Sequence, residues 1–147
     1  MSDWKKIHLD DPSMWPQDII VKMEDSHDDA RGSIQPLYDL PTKSVVLITS
    51  KKGTVRANHY HLTDWHYCYV TAGKIGYYHR PHGSQEAPEK VIINTGQLFF
   101  TPPMVDHAML FLEDTTFFTF GRNPRDQESY EADVRRIEMI DPNTIDI

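Results

Sequence analysis

Gly53-Thr54-Val55-Arg56-Ala57-Asn58-His59-Tyr60-His61 carries two histidines two residues apart in a segment rich in β-formers, with His66 four residues further on and Gly73 six beyond that. Side chains two apart on a strand face the same way, about 6–7 Å from one another. His59 and His61 can therefore converge on one ion. Thr63-Asp64 predicts a tight turn that returns the chain antiparallel, so that His66 stands early on the partner strand, within cross-strand reach. His107 opens a later strand, after Pro102-Pro103-Met104-Val105-Asp106. Only a closed barrel brings it to the same point.

Outward from this segment the chain reads as short strands. The candidates are Ser33–Tyr38, Ser44–Thr49, Thr54–Leu62, Trp65–Thr71, Lys74–Arg80, Lys90–Asn94, Gln97–Thr101, Ala108–Leu112 and Thr115–Phe120, each rich in β-branched or aromatic residues. Turn residues separate them, among them Lys51-Lys52-Gly53, Ala72-Gly73, the loop from Pro81 to Pro88, Thr95-Gly96 and Glu113-Asp114. Evenly spaced short strands predict an all-β sandwich or barrel. Upstream, Ile19, Val21 and Met23 alternate as one further strand, and Asp28-Asp29-Ala30-Arg31-Gly32 reads as a turn. The polar tail Asn123–Val134 predicts a short helix outside the barrel.

Composition narrows the class of partner. A chain of 147 residues, 39% hydrophobic, suits one domain with its own core. The reading is a single domain over 1–147: a barrel over about 31–122, an N-terminal arm over 1–30 and an extension over 123–147. A net charge of −7 repels phosphate backbones, so nucleic acid is excluded as the expected partner. There is no apolar run of 18 residues, so no membrane span is expected. Met1-Ser2-Asp3-Trp4-Lys5-Lys6 lacks the apolar centre of a signal peptide, and Cys68 is the only cysteine. Both fit the cytoplasm.

A lone His-x-His on a strand is more often a hydrogen-bonded surface or core pair than a metal site. Here it belongs to a longer pattern. Gly53, five residues, His59-Tyr60-His61, four residues, His66, six residues, Gly73 resembles the first motif of the cupin superfamily, with His66 where the family has Glu. Gly96, Pro102 and His107 resemble its second motif, with Met104 in place of a Gly and Phe111 in place of an Asn. The resemblance implies an all-β cupin fold, a double-stranded β-helix or jelly-roll barrel. It also implies one transition metal ion held by His59, His61, His66 and His107. Neutral imidazoles favour zinc, iron, nickel, copper, cobalt or manganese over magnesium or calcium, and the spacing does not choose among them. A neutral His66 in place of a carboxylate leaves the site one charge more positive, which favours an anionic ligand on the metal.

Asp29-Ala30-Arg31-Gly32, and Ser50-Lys51-Lys52-Gly53-Thr54-Val55-Arg56 running into His59-Tyr60, resemble the sugar-nucleotide 3,5-epimerases of the dTDP-4-dehydrorhamnose type. The segment Gly53–His61 is also similar to the metal-binding cupin domain of capsular polysaccharide assembly enzymes, and Asn123-Pro124 with Ser129-Tyr130 echoes that group. In the rhamnose epimerases a His at the place of His59 is the base beside a ketone. A late Tyr is the acid, and Arg residues at places like Arg31 and Arg56 hold the sugar or its diphosphate. This sequence departs from them. A metal-bound His59 has no nitrogen left to act as base, and no clear acid tyrosine follows Phe120, where Gly121-Arg122 stand.

The expected function is a metal-binding cupin acting as an epimerase or isomerase on a sugar or sugar nucleotide in carbohydrate biosynthesis. The expected catalytic residues are His59 and Arg56, and the expected substrate-binding residues are Arg31, Lys52 and Arg56. A dioxygenase-type oxidoreductase and a non-catalytic small-ligand-binding cupin are the alternatives. Lys52 in a Lys-Lys-Gly turn reads as solvated surface, and Arg56 has the wrong strand parity relative to His59 unless a bulge intervenes. Cys68 shares a face with His66 and reads as an inert buried thiol, while His79 and His82 flank a loop and are expected on the surface. Apolar outer faces predict a homodimer.

Overall fold

A computed structural model describes residues 11–145. The stretch Met1–Lys6, read above for a leader, lies outside the described residues. After a 3-10 turn at Pro12–Met14, eleven strands and one α-helix follow in order among the described residues: β1 (His27–Asp29), β2 (Gly32–Ile34), β3 (Ser44–Ser50), β4 (Val55–His61), β5 (His66–Ala72), β6 (Lys74–Pro81), β7 (Glu89–Asn94), β8 (Leu98–Thr101), β9 (Val105–Phe111), β10 (Thr115–Gly121), α1 (Gln127–Asp133) and β11 (Val134–Arg136). A four-stranded sheet has the order β3-β10-β5-β8 and a five-stranded sheet the order β11-β4-β9-β6-β7. From β4 to β10 the chain passes repeatedly from one sheet to the other, which is the jelly-roll wiring.

Alternation along the strands builds three apolar layers. On β5, Cys68 and Val70 face inward and join Ile75, Tyr77, Ile93, Phe99, Met109, Phe111 and Phe117 between the sheets. Tyr67 points the other way, into a second cluster with Trp65, Leu98 and Phe100 that Trp15, Val21, Met23, Leu37 and Tyr38 cover. The C-terminal extension lays Met139, Ile140 and Ile145 on Ala108 and Leu110 of the five-stranded sheet. The arm and the extension thus cover opposite outer faces of the barrel.

Several local expectations are corrected. Ser33–Tyr38 is extended only as far as Ile34, because β2 pairs with β1 alone and Pro36 follows. Around Ile19 and Val21 the arm forms a single bridge, Ile20 to Phe99. β11 is an unforeseen strand, added to the edge of β4. The turn at Thr63-Asp64 does not pair β4 with β5: it carries the chain from one sheet to the other. Trp65, fully buried, anchors that corner, and its carbonyl accepts the Arg122 N–H at 3.0 Å.

The return from β5 to β6 runs through Gly73, with φ +110°. A Cβ there would stand 2.6 Å from Thr115 Cα and 2.7 Å from the Asp114 carbonyl oxygen, both backbone atoms that cannot turn aside. Gly73→Ala combines this clash with a backbone conformation that only glycine adopts freely. The expected loss is more than about 2 kcal/mol, seen as a lower urea midpoint at unchanged slope.

Candidate metal centre

The histidines meet because β4 carries a bulge. Ala57 and Asn58 both have positive φ, 69° and 55°, and the register with β9 slips so that Ala57 opposes Ala108 while His59 opposes His107. The C-terminal extension pins this bulge. Asn58 donates to the Ile140 carbonyl at 3.0 Å, accepts from the N–H groups of Met139 and Ile140, and its own carbonyl accepts from Ile137. An asparagine suits the site because its short side chain tolerates left-handed backbone and bonds neighbouring main chain.

Beyond the bulge His59 and His61 face inward, with ring centroids 4.7 Å apart, and His107 lies 4.7 Å from His59. One ring nitrogen from each of His59, His61 and His107 falls within 4.8 Å of the others. His61 and His107 are 2% and 4% exposed. Second hydrogen bonds fix their tautomers: His107 Nδ1 donates to the Val105 carbonyl at 3.0 Å, and His61 Nδ1 donates to Asp133 Oδ2 at 3.2 Å. Each therefore presents Nε2 as a lone pair. Burial, assisted by neighbouring His66, pushes His61 down to about 4, against the pull of Asp64 and Asp133. Burial likewise takes His107 down to about 3 and His59 lower still. Three neutral, convergent imidazoles, two buried and one half-buried, are the donor set a transition metal ion takes.

His66 stands differently. It reaches the cluster from the other sheet, its ring 4.9 Å from that of His61. Its Nε2 lies 2.8 Å from Asp64 Oδ2. Gly121 makes room for it, since a Cβ there would meet the His66 ring at 3.0 Å. Asp64 is itself tied by the Asn123 N–H at 2.9 Å.

The positive residues are not brought to this cluster. Arg56 does regain inward parity through the bulge, but its guanidinium donates to Ser50 Oγ and the Thr49 carbonyl, at the end of β3 away from Gly121 and His66. The apolar core containing Met109 fills the space between. Arg31 is exposed in the β1–β2 turn, paired with Asp29 at 2.6 Å. Lys52 is exposed in a turn that its backbone N–H ties to Asp114. Cys68 is buried in the core, and burial raises its thiol far above the ordinary range.

Three residues not expected at the site are there. Asp64 and Asp133 hold histidines, and the Tyr130 ring lies 6.4 Å from that of His59 and 5.9 Å from that of His61. Burial raises the Tyr130 hydroxyl, while the Arg125 guanidinium, 3.5 Å over its ring, works the other way. A tyrosine after Phe120, where none was expected as a clear acid, thus lies beside the histidine cluster. His79 is not on the surface: its side chain is 15% exposed. His82 is half-buried and donates to Asp106 at 2.9 Å.

Because the folded state keeps these histidines neutral, acid acts against it. Below the ordinary value of 6.5 the unfolded chain binds protons that folded His59, His61 and His107 refuse. Stability then falls with falling pH, at about 1.4 kcal/mol for each unit by which a pKa is displaced. For metal-free protein the urea midpoint is expected to be flat from pH 8 to 7 and to drop steeply from pH 6.5 towards 4. A midpoint unchanged down to pH 4.5 would contradict the neutral, buried assignment.

The fold is the cupin jelly roll in its RmlC-like form, with a histidine cluster held between its two sheets. Among solved structures the chain is similar to ChmJ, a 3'-monoepimerase from Streptomyces bikiniensis in complex with dTDP-quinovose, at 19% identity and TM-score 0.68 over 88% of this chain and 76% of that one. It is similar to dTDP-4-dehydrorhamnose 3,5-epimerase from Sulfolobus tokodaii, at 19% identity and TM-score 0.65 over 82% and 84%. It is also similar to QdtA, a sugar 3,4-ketoisomerase from Thermoanaerobacterium thermosaccharolyticum in complex with TDP, at 17% identity and TM-score 0.65 over 80% and 85%. At these identities the likeness establishes the fold. No protein-family model matches the sequence, and the sequence matches no curated protein. Among the described residues no helix is long and apolar enough to cross a membrane.

Proposed function

We propose that this chain is a metal-binding cupin that epimerises or isomerises a nucleotide-linked keto sugar. The observation that carries the reading is the cluster of His59, His61 and His107, neutral and convergent, beside the Tyr130 ring. Enzymes acting on such sugars, or bound to TDP and dTDP-quinovose, share the fold, which supports the substrate class. His59, His61 and His107 would hold the ion, with His66 beside them. Bound there, a transition metal supplies Lewis acidity toward a ketone oxygen.

The chain's own residues supply the rest. Val105 and Asp133 keep His107 and His61 in the tautomers that present Nε2. Tyr130 is the proton donor, its phenol kept neutral by burial. Arg125 and Arg136, on either side of Tyr130 in the extension, provide positive charge for a diphosphate.

The test is solvent exchange. Metal-loaded protein with TDP-4-keto-6-deoxyglucose in D₂O is expected to introduce deuterium at a carbon next to the ketone, followed by proton NMR. Oxygen uptake without exchange would replace this reading with an oxygenase, and saturable binding with neither would replace it with a carrier.

A further inference from the structure

One rung of the five-stranded sheet runs Arg136, His59, His107, His79, Glu89, each residue directly opposite the next on adjacent antiparallel strands. Directly opposed residues on antiparallel strands project to the same face. His59 and His107 project between the sheets, and His79 therefore does too. It packs along Tyr77 of the inner core, with ring centroids 5.6 Å apart.

His79 differs from every other inward histidine in what its nitrogens do. His107 donates to Val105, His61 to Asp133, and His66 Nε2 lies against Asp64. His79 Nε2 is sealed from solvent and is the one buried side-chain nitrogen or oxygen among the described residues with no hydrogen-bond partner. The Glu89 carboxylate, 82% exposed on the edge strand β7, stands 3.8 Å from it, just outside hydrogen-bond range. A buried nitrogen left unpaired costs about 1–3 kcal/mol, and such atoms in native structures call for a use. Burial also keeps this imidazole neutral against the pull of Glu89.

We infer that His79 is the proton acceptor of the proposed isomerisation, with Glu89 as the positioning residue that orients its ring. The inference rests on the keto-sugar reading above. Glu89 closing on Nε2–H leaves the other ring nitrogen of His79 as the base. That nitrogen takes the proton from the carbon beside the ketone. The C–H electron pair becomes the carbon–carbon double bond of an enolate, and the carbonyl π pair moves onto oxygen. Return of a proton to carbon regenerates the ketone, so no oxidant or reductant is needed. A base outside the ligand set is what the reaction needs, since His59, His61 and His107 are committed and His66 Nε2 is held by Asp64.

The experiment is the D₂O exchange of TDP-4-keto-6-deoxyglucose by metal-loaded wild type, His79→Gln and Glu89→Gln, with metal content and sugar-nucleotide Kd measured on the same samples. His79→Gln is expected to slow exchange by about 10²-fold or more, the range of general acid–base catalysis, with metal content and Kd unchanged. Glu89→Gln, at an exposed position that cannot unfold the protein, is expected to slow it by about tenfold. Exchange at the wild-type rate in either variant overturns the inference and leaves the proposed function standing. Loss of metal from His79→Gln overturns it too, because His79 would then belong to the metal site. A wild-type protein that catalyses no exchange overturns both.

Discussion

His107→Ala is expected to lose metal almost completely, with a drop in affinity of about 10³-fold or more, while His66→Ala loses far less. His107 is 4% exposed, its Nε2 is set free by the Nδ1 bond to Val105, and no other imidazole on β9 can replace it. Removing one of three convergent ligands leaves too few to displace water from the ion. His66 has its Nε2 against Asp64 at 2.8 Å, so the reading that made it a fourth ligand meets a competitor. Metal content by plasma mass spectrometry, with competition against a chelator for affinity, separates the two. Equal losses in both variants would mean that His66 breaks from Asp64 and ligates as fully as His107. His59→Ala combined with His61→Ala should hold no metal at all, and stoichiometric metal in that double variant would remove the site.

The barrel and the inward histidines were legible because they rest on local patterns. Strand period two set the faces of His59 with His61 and of His66 with Cys68, and the glycine and proline turns set the strand count. What escaped has nonlocal causes. The bulge at Ala57-Asn58 has no glycine to announce it, because its geometry is held by residues 137–140 lying some eighty positions away. Arg56 therefore gained the right parity and still missed the site, drawn to Ser50 and Thr49 on β3. The Thr63-Asp64 turn looked like a hairpin because β4 and β5 both read as strands. Which sheet each joins depends on the burial of Trp65 and on Asn123 reaching Asp64, and neither is a property of the turn. His79 looked like a surface residue beside a loop, yet β6 continues through it to Pro81.

Asp133→Ala should damage the protein twice, in stability and in metal affinity. Its carboxylate accepts from Thr63 N–H at 2.9 Å, Thr63 Oγ at 2.6 Å, Asp64 N–H at 3.1 Å and His61 Nδ1 at 3.2 Å. Burial works to raise its pKa, but the bonds from Thr63 and Asp64 outweigh it and hold the group ionised. Truncation leaves these donors buried and unpaired, at about 1–3 kcal/mol for each that water cannot reach. The same carboxylate fixes the tautomer of His61, and loss of such a partner typically costs 10–100-fold in metal affinity. Asp133→Asn separates the two effects. It keeps an oxygen at the Oδ1 position for the Thr63 N–H and hydroxyl groups and puts an NH2 group at the Oδ2 position, facing the Asp64 N–H and His61 Nδ1, so the urea midpoint should recover part of its loss. It cannot hold His61 with a charge, so metal affinity should stay reduced. If Asn restored both, Asp133 would be a corner brace for β4, α1 and the turn, and His61 would set its own tautomer. If it restored stability alone, the extension would be part of the metal centre, which is why a tail of polar residues some seventy positions from the His-x-His pair is folded back as α1 and β11 against its strand.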